Sequence, residues 1–112
     1  MMIQKGDVCI ADLSLSFGRE QRGVRPAIAI SAGDLPGVII IVPTTSNMDT
    51  LRFPHTLALL PDVKNGLEQE SVALVFQMRS IDKKRVKHVI GRLDAATRKK
   101  LDAALKKVLR LS

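Results

Sequence analysis

The chain has 112 residues, 18 Lys and Arg against 11 Asp and Glu, and a formal net charge of +7. That length suits a single domain, residues 1–112, with a modest core. The content of 46% hydrophobic and 26% charged residues excludes disorder as the default, and no apolar run approaches the ~18 residues of a membrane span.

The N-terminus lacks a long apolar stretch followed by a small-residue cleavage site, so no secretory leader is read. The first expected strand is "DVCIADL", Asp7 to Leu13. It holds Cys9, the single cysteine, read as a buried thiol that packs as a small hydrophobe. One cysteine forms no internal disulfide, which fits a reducing cytoplasm. One Cys and two His fall short of the three or four ligands zinc takes, so no metal or other cofactor is expected.

"AIAIS" (Ala27 to Ser31) and "GVIIIVPTT" (Gly37 to Thr45) are the next strands. The β-branched run Val38 to Val42 suits burial on both faces. "AGDLPG" between them carries turn residues and predicts a hairpin. "HTLALL" and "SVALVFQ" are further strands, separated by "PDVKNGLEQ" with its Asn65-Gly66 turn signal. Asp82 is a candidate cap for a helical turn through "KKRVKHV". After Asp94, a candidate N-cap, Leu101, Leu105, Val108 and Leu109 recur on one helical face. Lys99, Lys100, Lys106, Lys107 and Arg110 take the outer face. Short strands followed by one helix predict a mainly β (α+β) fold, a small curved antiparallel sheet or barrel capped by an amphipathic helix.

Charge is unevenly spread. Met1 to Gln77 holds 6 Lys and Arg against 8 Asp and Glu, a net of −2, whereas Met78 to Ser112 holds 12 against 3, a net of +9. A basic half-chain points to a polyanionic partner, nucleic acid or an acidic protein, with a solvated helix face as the alternative.

Three stretches carry candidate chemistry. In "GREQRGVRP" (Gly18 to Pro26), Pro26 fixes its own φ and biases Arg25 toward an extended conformation at a strand mouth. A guanidinium held there presents a rigid fork matched to phosphate oxygens. The alternative is an Arg paired with an acid such as Glu20. "PTTSN" (Pro43 to Asn47) places three hydroxyls after the most apolar strand, to bind phosphate or to close a turn. In "FQMRSID" (Phe76 to Asp82), the Gln77 amide is placed to reach a base edge and Arg79 a phosphate, or both are satisfied strand-end groups.

Together these stretches resemble the MazF/PemK family, the ribonuclease toxins of bacterial toxin–antitoxin pairs. The similar segments are "KGDVCIADLS", "GREQRGVRPAIAIS", "IIIVPTTS", "SVALVFQMRSIDKKR" and "LDAALKKVL", in the family's order. The resemblance implies an SH3-like β-barrel with a C-terminal helix and a homodimer with single-stranded RNA across its interface. It also implies cleavage without metal to 2′,3′-cyclic phosphate and 5′-hydroxyl ends, and a cognate acidic antitoxin that covers the Arg22/Arg25 groove.

By the same resemblance Arg25 stabilises transition-state charge, Thr45 donates to a non-bridging oxygen with Ser46 beside it, and Glu20 is the candidate general base. Gln77 and Arg79 fall to RNA binding. Arg22 has three readings: an RNA anchor, a partner of Glu20, or an antitoxin contact. Many relatives carry an acid where this chain has Phe76. That ring reads as core, with stacking on an unpaired base as the alternative. His55 lies in a variable loop that, by resemblance, borders the RNA groove, and His88 reads as a surface group.

Two other classes compete. A CcdB-like gyrase inhibitor on the same barrel would not need the strand-end hydroxyls and arginines. A plain RNA-binding module would bind in a salt-sensitive way and leave RNA intact. Three Phe and no Trp or Tyr give such a module few stacking platforms.

Overall fold

The computed structural model describes residues 2–14, 18 and 20–111. The described strands are β1 (Asp7–Asp12), β2 (Val24–Ala29), β3 (Val38–Thr45), β4 (Thr56–Leu59), β5 (Ser71–Leu74), β6 (Arg79–Asp82) and β7 (Val86–Arg92). They form one antiparallel sheet in the order β4-β5-β3-β2-β1-β7, with β6 paired to β3. The expected mainly β architecture with a C-terminal helix is present, and the sheet is open, with β4 and β7 at its ends.

Alternation along the strands explains two cores, because successive side chains point to opposite faces. Cys9, Ala11, Ala27, Ala29, Ile39 and Ile41 pack on one face with Leu13 and Ile81. Val8, Ile28 and Val42 pack on the other with Leu59, Ala73, Leu93 and Leu101. β3 carries both sets, so its Ile/Val run is required.

The helix α1 spans Ala95–Val108 and begins where expected. The Asp94 carboxylate accepts from Thr97 N at 2.7 Å, satisfying an amide that has no partner within the helix. Leu101 is buried, and Leu105 and Val108 pack beside it. Leu109, expected on the same face, is the C-cap residue and is 50% exposed. The helix has already ended there.

The segment after Arg79 departs from the sequence reading. Asp82 does cap a turn, accepting from Lys84 N at 2.9 Å, but that 3-10 turn stops at Arg85. "VKHVIGR" is then an edge strand against β1. Its basic residues Lys87 and His88 are exposed, as an edge strand with one face on the core allows. Phe76, read as core, lies 41% exposed. β5 gives way at Val75 to a 3-10 turn that keeps Val75 buried and turns the next ring outward.

Candidate functional site

β2 begins at the end of the sheet where its neighbour β3 finishes. This antiparallel pairing brings Arg25 and Thr45 to the same rim. Both line a cleft of about 420 Å³, together with Ser46, Glu68, Gln69, Ser71 and His88.

Arg25 is the second residue of β2 and lies opposite Ala11 of β1. Its Nε donates to the Arg22 carbonyl at 2.5 Å. The Gln21 amide oxygen, in the orientation that satisfies both of its polar atoms, accepts from the same guanidinium. Gly23 makes this return possible: its φ is +90°, and a Cβ there would sit 3.5 Å from Arg25 Nη2. The side chain is thus folded against its own loop, and the strand fixes its base.

The neighbouring threonines divide two tasks. Thr44 Oγ1 donates to the Pro26 carbonyl at 2.7 Å, tying β3 to β2 where proline offers no N–H. Thr45 Oγ1 accepts from Asn47 N at 3.2 Å, so it does close the turn. Accepting uses a lone pair, and the hydroxyl proton stays available for an acceptor in the cleft.

The loop before β2 is pinned from the far side of the sequence. Gln21 N donates to Gln77 Oε1 at 2.7 Å, and Arg79 Nη2 donates to the Gln21 carbonyl at 2.9 Å. Arg79 Nη1 meets Glu20 Oε2 at 2.5 Å in an ion pair, with the Arg79 side chain 15% exposed. The structure therefore gathers Glu20, Gln77 and Arg79 into one cluster. Arg22 is exposed, and Ser46 is exposed on the cleft rim.

Glu68 is a cleft residue that the sequence did not single out, and His88, read as a surface group, is exposed and lines the same cleft. His88 had a faint signal, the alternation within "VKHVIGR", whereas Glu68 sits in a turn-rich segment with none. The segment is held over β7 by Arg92 N donating to Lys64 O at 2.8 Å. Asn65 is buried, its amide oxygen accepting from Leu67 N at 2.9 Å and its Nδ2 donating to Leu60 O at 2.8 Å.

Cys9 takes no part in this chemistry. Burial first, and the Asp7 charge second, push its thiol up to about 11. Its Sγ points to the Ala27 carbonyl at 3.5 Å, as a structural thiol does.

Known proteins bear on the site. Residues 4–109 match the model of the PemK-like, MazF-like toxin of type II toxin-antitoxin system. The chain is 36% identical over 109 residues to Endoribonuclease EndoA of Bacillus subtilis (strain 168), covering 94% of this chain and 92% of that one. Its fold is similar to MazF of Deinococcus radiodurans, at a TM-score of 0.82 and 22% identity over 98% of each chain. It is also similar to a mycobacterial endoribonuclease solved in complex with its cognate antitoxin, at a TM-score of 0.75 and 20% identity over 98% of this chain and 97% of that one. With Arg25 and Thr45 on one rim and a family match running nearly end to end, the chain belongs to the PemK/MazF family of type II toxins.

Proposed function

We propose that this toxin is an endoribonuclease that cuts single-stranded RNA, mRNA included, at short preferred sequences in the Arg25–Thr45 cleft. The observation that carries the reading is the convergence of Arg25 and Thr45 on one cleft, in a chain 36% identical to an endoribonuclease.

The chemistry needs no activated water. The ribose 2′-oxygen loses its proton and attacks the adjacent phosphorus, the bond to the 5′-oxygen breaks, and that oxygen leaves with a proton supplied by Arg25 or by solvent. The ends are a 2′,3′-cyclic phosphate and a 5′-hydroxyl. Because the nucleophile belongs to the substrate, no metal is needed to generate it, in keeping with the metal-independent cleavage that the family resemblance implies. Charge builds on the non-bridging oxygens, where the Arg25 guanidinium and the Thr45 hydroxyl stabilise it. Glu20 is the carboxylate offered to the 2′-hydroxyl proton. It is paired with Arg79, and acting as a base requires that pair to open. Arg22, Ser46 and Gln77 complete the RNA track.

The mycobacterial neighbour was solved with its cognate antitoxin. An acidic, partly disordered antitoxin segment lying over Arg22 and Arg25 fits the same charges. The working form is a cytoplasmic homodimer. No helix among the described residues is long and apolar enough to cross a membrane. The gyrase-inhibitor alternative is not favoured beside the endoribonuclease relative.

The test is incubation of the purified protein with a long defined RNA in EDTA, beside Arg25→Ala, with the product ends mapped. Discrete cuts with cyclic-phosphate and 5′-hydroxyl ends, absent in the variant, are expected. Intact RNA across several substrates, or equal cleavage by Arg25→Ala, would overturn the assignment.

A further inference from the structure

A second cleft, of about 430 Å³, is lined by Phe53, Pro54, His55, Phe76 and Gln77. The chain has three Phe and no Trp or Tyr, yet two of those rings stand here 42% and 41% exposed. Leaving them in water forfeits burial that the core would have rewarded.

The rings form an edge-to-face corner, with centroids 6.2 Å apart and planes at 72°. A flat group laid on one ring meets the edge of the other, an arrangement aromatic systems favour. The corner is preformed. His55 holds a φ of +59°, a costly conformation for a residue with a Cβ, and its carbonyl accepts from Phe76 N at 3.3 Å. The guanidinium carbon of Arg52 lies 5.1 Å from the Phe53 centroid, placing a cation at the rim.

The cleft is tied to the loop before β2. Gln77 lines it, and Gln77 Oε1 accepts from Gln21 N at 2.7 Å, four residues before Arg25. Aromatic faces, an amide and a rim cation are the groups that receive an unstacked base and its phosphate.

The geometry points to a nucleobase-stacking subsite at Phe53 and Phe76, which takes one base of the RNA outside the scissile bond and so sets sequence preference. Purines are favoured, since their larger face covers more of the ring. The inference rests on the ribonuclease reading for its substrate and names residues that the cleavage chemistry does not use.

The experiment is a panel of short single-stranded RNAs carrying 2-aminopurine at each position in turn. Each is bound to the wild type and to Arg25→Ala, Phe53→Leu and Phe76→Leu, with thermal unfolding and oligomeric state measured for every variant. One position should show stacking quench in the wild type and in Arg25→Ala. Both Phe variants should lose it and bind roughly tenfold more weakly. Where the wild type cuts, they should also lose base preference at that position. Quench that depends on the Phe rings with RNA left intact sustains the subsite and sinks the ribonuclease reading alone. Cleavage with unchanged base preference in both Phe variants sinks the subsite alone. Phe variants that alter only dimer formation or the binding of an acidic antitoxin peptide would overturn the base assignment in favour of a protein contact.

Discussion

Gln21 and Gln77 are joined by a 2.7 Å hydrogen bond that spans 56 positions of sequence. It fastens the arginine-bearing loop before β2 to the 3-10 turn after β5. The Arg25–Thr45 cleft and the aromatic corner are therefore linked through this loop, which Arg79 also holds through the Gln21 carbonyl.

Arg25→Ala should lower cleavage by a hundred- to a thousandfold, on the order of the loss from removing one transition-state donor. Its side chain lies on a loop and the cleft rim, so the unfolding temperature should stay near wild type. Single-turnover cleavage and thermal unfolding on the same preparation separate the two effects.

Gln77→Ala should loosen the loop more than the fold. Losing one hydrogen bond to a loop amide predicts a drop in kcat/KM of roughly fivefold to tenfold. The specific readout is hydrogen exchange, in which the Gln21 amide should become faster while the β3 amides keep their protection. Unchanged exchange at Gln21 would show that the bond does not hold the loop.

Cys9 gives a pH prediction. Its thiol is pushed up to about 11 in the folded chain from an ordinary 9.0. Below pH ~9 both states keep the proton, and this group's full contribution to stability is present. Between about pH 9 and pH 11 the unfolded chain releases a proton that the native chain holds, so stability falls with rising pH by roughly 2–3 kcal/mol at most. Urea unfolding at pH 8, 9 and 10 should show this decline, and Cys9→Ala should show a flatter one. A thiol-reactive dye at pH 8 should label wild type only after unfolding.

Gly91→Ala should be damaging. A Cβ there would press into the backbone of Lys64 and Asn65, where the turn-rich segment folds back onto β7. Rigid backbone on the receiving side cannot rotate away, and a cost of about 2 kcal/mol or more is expected. Because Glu68 and Gln69 form a wall of the cleft, cleavage by the surviving folded protein should fall as well. Thermal unfolding and specific activity per folded molecule check both.

The elements the sequence determined are those governed by residues a few positions apart. β1, β2 and β3 follow from apolar, β-branched runs. α1 follows from the spacing of Leu101, Leu105 and Val108 after a capping Asp94. Arg25 and Thr45 were legible only through the resemblance of their segments to the MazF/PemK family, because the local patterns by themselves also allowed a paired arginine and a turn-closing hydroxyl. β7 was not, because "KKRVKHV" is basic and short, and only the hydrogen-bonding edge of β1 makes it a strand.

Tertiary structure alone decided which residues share a site. The Glu20–Arg79 ion pair spans 59 positions, and His88 and Glu68 reach the Arg25 cleft only through the pairing of β7 with β1 and the fold-back of the 61–70 segment. Phe76 follows the same rule. Its apolar character argues for burial, but the 3-10 turn that ends β5 sets the direction of the ring and leaves it facing solvent beside Phe53. Local propensity is encoded in neighbours, whereas a cleft is a coincidence of distant strands whose hydrogen-bond register carries no short-range signature.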